Sequence, residues 1–253
     1  MAKKFEKNVL NLLPGYGCVE NIFYPFPAKE ILFGYAYSRQ SSGIQAYLYV
    51  LPLYVRSDFL HLGFSVCLPH PLGRISITNA LEKRFLGRNG KYTSPNDPAV
   101  ACDFLQACLA FKSSNFIYGE NIDGFIQMLL DRSQPNYDGP LGPLMVDASL
   151  RIYSLAASLI LRGDIDLAVS DLQMLLDNRI VSQHTDEFSQ TYTLDLRHGE
   201  GNLRQDENIY RNRDNPIMED AKELYRLIGK SVSAAVQWLK DVEENNKLRF
   251  TIK

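Results

Sequence analysis

The sequence predicts an α+β protein: an N-terminal antiparallel sheet of three or more strands followed by a C-terminal helical layer. Three observations predict it. Before about residue 80, short runs rich in β-branched and aromatic residues dominate, as half-buried strands require. After it, apolar residues recur at three and four, the helical period. Finally, Leu60, Leu62, Phe64, Val66 and Leu68 alternate with His61, Gly63, Ser65 and Cys67, so that one strand face is wholly apolar and needs a cover from the later helices.

In chain order, Lys4 to Leu13 reads as a short helix beside the sheet. Ile31–Tyr37 and Ile44–Val55 read as strands, and Ser41, Ser42 and Gly43 between them supply a flexible turn, so an antiparallel hairpin is the simplest joining. Leu60–Leu68 is the cleanest alternating strand. A helix opens near Asp97-Pro98 with the stripe Ala101, Phe104, Leu105, Cys108, Leu109 and Phe111, and Ile122–Leu130 repeats the pattern. Gln134–Pro143, with three prolines and two glycines, is a loop or connection. Ser149–Arg162 is an apolar helix stopped by Gly163, and Asp164 is placed to cap the next, Ile165–Leu176; the two make an αα-hairpin whose Ala156, Ala157 and Ala168 permit close contact. A final helix starts at Asn215-Pro216, with Ile217, Ala221, Leu224, Ile228, Ser231, Ala235, Trp238 and Val242 as one continuous stripe and Trp238 as a core anchor. Residues 1–90 are thus mainly antiparallel β and 91–253 mainly helical, and the two regions can share one compact domain.

The chain has 253 residues, 45% of them hydrophobic and 22% charged, which supports a sizeable core and excludes wholesale disorder, collagen and a coiled-coil rod. Its 27 basic and 29 acidic residues leave a charge of −2, which does not favour nucleic acid or an anionic membrane as partner. The longest apolar run, Ala46–Val55, is ten residues and contains Pro52, against the roughly 20 a membrane helix needs. The brief apolar patch after Lys3, Lys4 and Lys7 is too short for a secretory signal, and a cytoplasmic location is expected. Cys18, Cys67, Cys102 and Cys108 form no CxxC pair and match no zinc spacing, so they are expected to be reduced core thiols, with no metal and no cofactor.

No GxGxxG, GxxxxGK[ST], HExxH, GxSxG or EF-hand pattern occurs. Two segments could still carry a site. Ser182–Asp214 holds His184 and His198, seven carboxylates and four arginines, with a short strand around Tyr192, Leu194 and Leu196. His184, His198, Asp195 and Glu200 are its candidates for proton transfer or metal ligation in a phosphate-handling or phosphodiester-cleaving enzyme, although a long solvated loop has the same composition. The second segment is basic: Arg74, Lys83, Arg84, Arg88 and Lys91 against Glu82 give +4, while residues 119–150 sum to −4, an asymmetry suited to steering a charged protein partner. His61 and Ser65, four apart on a strand, would lie about 13 Å apart, too far for a dyad. His70, between Pro69 and Pro71, sits in a rigid turn.

The order of these elements carries a resemblance. A helix, then SRQSSGIQAYLYVLPLYV, then FLHLGFSVCLP, and later SLILRGDIDLAVSDLQMLL, resembles a bacterial family of unknown function with a toxin-immunity association. The shared pattern is a polar hairpin, an aliphatic–polar–Gly–aromatic strand and helices with a Gly-Asp junction; the segment from Ser182 onward departs from it. The resemblance implies a non-enzymatic binding protein, an immunity or defence accessory factor, with no catalytic residues to carry over. The other reading beside the enzyme is a structural subunit of a larger assembly, joined through the stripe near Trp238.

Overall fold

The computed structural model describes residues 4–40, 43–58, 60–69, 73–76, 94, 96–134, 137–142, 144, 146–177, 183–186, 189–193 and 216–253. Helix α1 (Lys4–Leu12) leads into strands β1 (Tyr16–Val19), β2 (Ile22–Pro25), β3 (Ile31–Gln40), β4 (Gly43–Pro52), β5 (Val66–Cys67) and β6 (Arg74–Ser76). They form one antiparallel sheet in the order β1-β2-β3-β4-β5, with β6 also on the far edge of β4. Helices α2 (Pro98–Asn115), α3 (Ile122–Arg132), α4 (Ala148–Arg162) and α5 (Ile165–Leu176) follow, then a separate strand pair, β7 (Gln183–Asp186) and β8 (Ser189–Thr193), and finally α6 (Pro216–Lys230) and α7 (Val232–Arg249). The α+β class is as the sequence predicts. No helix of the described residues is long and apolar enough to cross a membrane.

The expected hairpin is the spine of the fold, a ten-pair ladder from Ile31↔Pro52 to Gln40↔Gly43. Strand β4 is buried on both faces, which is why IQAYLYVLP reads as a nearly unbroken apolar run. On one face Phe23, Phe33, Tyr37, Leu48 and Val50 meet the helices, with the Phe5 ring 4.8 Å from Tyr37 and 5.7 Å from Phe104. On the other face Ile22, Tyr24, Leu32, Tyr49 and Leu51 are covered by Leu60, Leu62, Phe250 and Ile252. The first of these two cores draws on both the strand-rich and the helix-rich regions.

The strand expected over Leu60–Leu68 is only two residues long, Val66–Cys67. Before it the chain turns, with Ser65 N–H donating to Leu62 C=O at 2.9 Å and the Ser65 hydroxyl accepting from Val50 N–H at 3.2 Å. The alternation is real but serves two cores: Leu60 and Leu62 pack on the outer face, while Phe64, Val66 and Leu68 join the helix side. The β1–β2 hairpin had no sequence signal, being only four residues a side.

Helix starts follow their caps. Asp97 accepts from Ala99 N–H at 2.9 Å with Pro98 in the first turn, Asn121 accepts from Gly124 N–H at 2.9 Å, and Asp147 accepts from Leu150 N–H at 2.8 Å. Gly163 ends α4 at φ 101°, the left-handed cap expected of it. Asp164 makes no capping bond and pairs instead with Arg162. The single final helix is in fact two, interrupted at Ser231, whose φ of −169° and ψ of 129° are extended. Gly229 and Ser231 lower helix propensity there, and the break lets α6 and α7 pack against each other as well as on α4. Trp238 is half-buried rather than central, its ring 6.0 Å from the Arg56 guanidinium.

The thiols also depart from expectation. Only Cys108 is buried, and burial pushes its pKa up; Cys18 is half-buried and raised to about 11 by burial and by Glu6; Cys67 and Cys102 are exposed. Cys67 alternates with the inward Val66 and Leu68, and Cys102 follows the inward Ala101, so both point away from the core.

Candidate docking notch

The β2–β3 ladder holds only two pairs, Ile22↔Ala36 and Phe23↔Tyr35. Continuing that register places Pro25 opposite Phe33, and proline has no N–H to offer a ladder. The chain then leaves the sheet through Phe26-Pro27-Ala28-Lys29. Ala28 N–H donates to Lys253 C=O at 3.0 Å, and Lys253 N–H donates to the Tyr24 hydroxyl at 3.3 Å, so the last residues of the chain brace this wall.

Main-chain direction on β3 follows from two bonds. Leu53 N–H donates to Glu30 C=O on the β4 side, and Tyr37 N–H donates to Asn21 C=O on the β2 side. Strand residues alternate sides, so Ile31 and Phe33 turn their N–H and C=O toward β2, beyond the point where its ladder stops. Among the described residues no strand pairs with Ile31–Gly34 there.

Between this stretch and the β2–β3 connection lies a hollow of about 100 Å³ lined by Pro25, Pro27, Lys29, Ile31, Leu32 and Phe33, and it adjoins a much smaller one, about 10 Å³, reaching Gly34, Lys112 and Phe116. Phe33 and Glu120 line both. Lys112 is ion-paired with Glu120, and its ammonium lies 5.9 Å from the centre of the Tyr35 ring. Lys29 is exposed and has no ion-pair partner among the described residues. Phe26, between the two lining prolines, is 55% exposed, and Ile117, next to Phe116, is 83% exposed.

Of the residues singled out in the sequence, His184 lies on β7 opposite Tyr192, and Arg74 lies on β6 opposite Gln45. Asp195, His198, Glu200, Lys83, Arg84, Arg88, Lys91 and His70 lie outside the described residues, as do Leu194 and Leu196 of the short strand. His61 is not on a strand. Its Nδ1 accepts from Gly63 N–H at 3.2 Å in the turn beside Phe64, and burial lowers its pKa, opposed by Asp147. Most of the acidic stretch is engaged internally: Glu120 with Lys112, Asp123 with Arg162 at 3.6 Å, Asp131 with the Tyr118 hydroxyl at 3.0 Å, and Asp147 as a cap.

Two buried charged groups gave no sequence signal. Arg132 is 3% exposed and donates to three main-chain carbonyls, Gly142 at 2.9 Å, Phe64 at 3.0 Å and Leu141 at 3.4 Å, tying two loops to the end of α3. Burial lowers its pKa to about 10. Glu6 is 1% exposed; its Oε1 accepts from the Tyr37 hydroxyl, and its Oε2 has no partner among the described residues. Among the described residues no three His, Cys, Asp or Glu side chains gather as a metal-binding group. The notch itself was missed in the sequence, though two prolines in FYPFP after an apolar run are a legible sign of a strand ending early. No family model matches the chain, and comparison with curated proteins and with solved structures finds no match either.

Proposed function

We propose that this protein works by binding another protein rather than by making or breaking bonds, and that the notch beside β3 is where it does so. The observation that supports this reading is the combination at one place of a small hollow in the β2–β3 connection, the exposed Phe26, and a charged rim of Lys29, Lys112 and Glu120. An apolar anchor in a polar rim is the common anatomy of a protein interface. The family resemblance in the β3–β4 hairpin and the Gly163-Asp164 junction makes an immunity or defence role the specific form of the proposal, with a toxin as the first partner to mix with it.

A photo-crosslinking phenylalanine analogue at position 26 tests the reading in cell lysate, with the same analogue at Leu167, 58% exposed on α5, as control. A discrete adduct from position 26 that the control lacks is the expected result. The same adducts from both positions, or none from either, overturn the assignment of this surface.

A further inference from the structure

Resting on that reading, we propose that the hollow takes a single aliphatic side chain of the partner, of leucine or methionine size, and that a carboxylate next to this anchor in the partner pairs with Lys29.

The walls suit a side chain and not more main chain. The β2–β3 connection, residues 26–30, lies across from Ile31–Phe33, and the Phe23↔Tyr35 pair closes one end, so no strand enters. What faces the hollow is apolar: the buried Ile31, Leu32 and Phe33 on one side, Pro25 and Pro27 on the other. The hollow is also preformed. Leu32 is held in the β4 ladder opposite Leu51, each proline ring fixes its own backbone φ, and the bond from Ala28 to Lys253 ties the connection down. A recess that needs no ordering before it is filled is the setting in which one inserted side chain becomes an anchor.

Volume selects the anchor. A cavity of about 150 Å³ admits benzene, and one water needs roughly 10–15 Å³. At about 100 Å³ the hollow is too small for an indole or phenol ring and large enough for an aliphatic side chain of about four heavy atoms. The adjoining space of about 10 Å³ holds no second side chain.

Charge selects its neighbour. Lys112 and Glu120 on the rim pair with each other, whereas Lys29 has no ion-pair partner among the described residues. The uncompensated charge at the mouth is therefore the Lys29 ammonium, which a carboxylate beside the anchor complements and a basic residue repels. The exposed apolar surface runs past the hollow to Phe26 and Ile117, further than a free acid of this size reaches, and that extent favours a protein segment as the occupant.

The test is titration of the isotope-labelled full-length protein with short capped peptides, followed by amide NMR. N-acetyl-Gly-Leu-Asp-Gly-amide should shift the signals of Lys29, Ile31 and Phe33. Replacing its leucine by alanine or tryptophan should weaken binding about tenfold or more, and replacing its aspartate by lysine about fivefold. Lys29→Glu should reverse the preference between the aspartate and lysine peptides, and Lys29→Ala should level it. The inference is overturned if no peptide moves those signals, if the tryptophan peptide binds as well as the leucine one, or if Lys29→Glu leaves the charge preference in place. It is overturned as well if 4-methylpentanoate, a free branched acid, binds as tightly as the peptide, or if light scattering finds a dimer that Lys29→Glu dissociates. A position-26 adduct in lysate with no response to any peptide sinks the anchor and leaves protein binding standing.

Discussion

Replacing Asp220 by asparagine should remove a pH dependence that the wild-type protein shows between about pH 4 and 6. Asp220 is 4% exposed on α6, with a carboxylate oxygen 3.4 Å from the Arg56 guanidinium. Its pKa rises from 3.8 to about 6, mainly because burial penalises the charge; Arg56 opposes the rise and Glu219 adds to it. A raised carboxyl pKa means that the folded state holds the proton more tightly than the unfolded chain. The stabilising contribution is therefore complete below pH 3.8 and is lost as pH rises through about 6. At 1.36 kcal/mol per pH unit the shift corresponds to roughly 3 kcal/mol, and because Arg56 is half-exposed and water reaches the pair, about half of that is the expected amplitude. Urea unfolding of wild type and Asp220→Asn at intervals from pH 3.5 to 7.5 measures it. Asp171, also raised to about 6 by burial, tilts both curves equally and cancels in the difference. The variant should gain about 1.5 kcal/mol on the wild type across the window. Parallel curves, or a variant that loses ground as pH rises, would refute the reasoning.

Other substitutions test the packing. Gly34→Ala places a methyl 2.0 Å from the Phe23 carbonyl oxygen, forcing β2 and β3 apart, and chemical denaturation should show a loss of about 2–4 kcal/mol. Tyr54→Phe deletes a 2.7 Å hydroxyl bond to Ser158, which still donates to Ser154 C=O, so about 1 kcal/mol is expected. Tyr37→Phe should cost more, about 2–3 kcal/mol, because it strips the buried Glu6 carboxyl of its hydroxyl donor; equal losses in thermal melts of the two variants would contradict this. Arg132→Met leaves the carbonyls of Phe64, Leu141 and Gly142 without that donor, and a loss of about 3 kcal/mol with faster proteolysis in the 137–142 segment is expected.

What the sequence determined by itself is whatever local rules govern. The β3–β4 hairpin, the start of α2 at Asp97-Pro98 and the stop of α4 at Gly163 each depend on a few adjacent residues, and each stands where periodicity and capping put it. Tertiary structure decided the rest. Leu60–Leu68 has a strand's alternation, yet two packing faces divide it; the last helix has an unbroken stripe, yet it bends at Ser231 so that both halves meet the core. The thiols at 67 and 102 point outward because their neighbours won the inward positions. The notch belongs mostly to this second class, although the prolines of FYPFP mark where β2 ends. It exists because β2 stops at Pro25 while β3 begins at Ile31, and no single segment of chain records how far two strands run side by side.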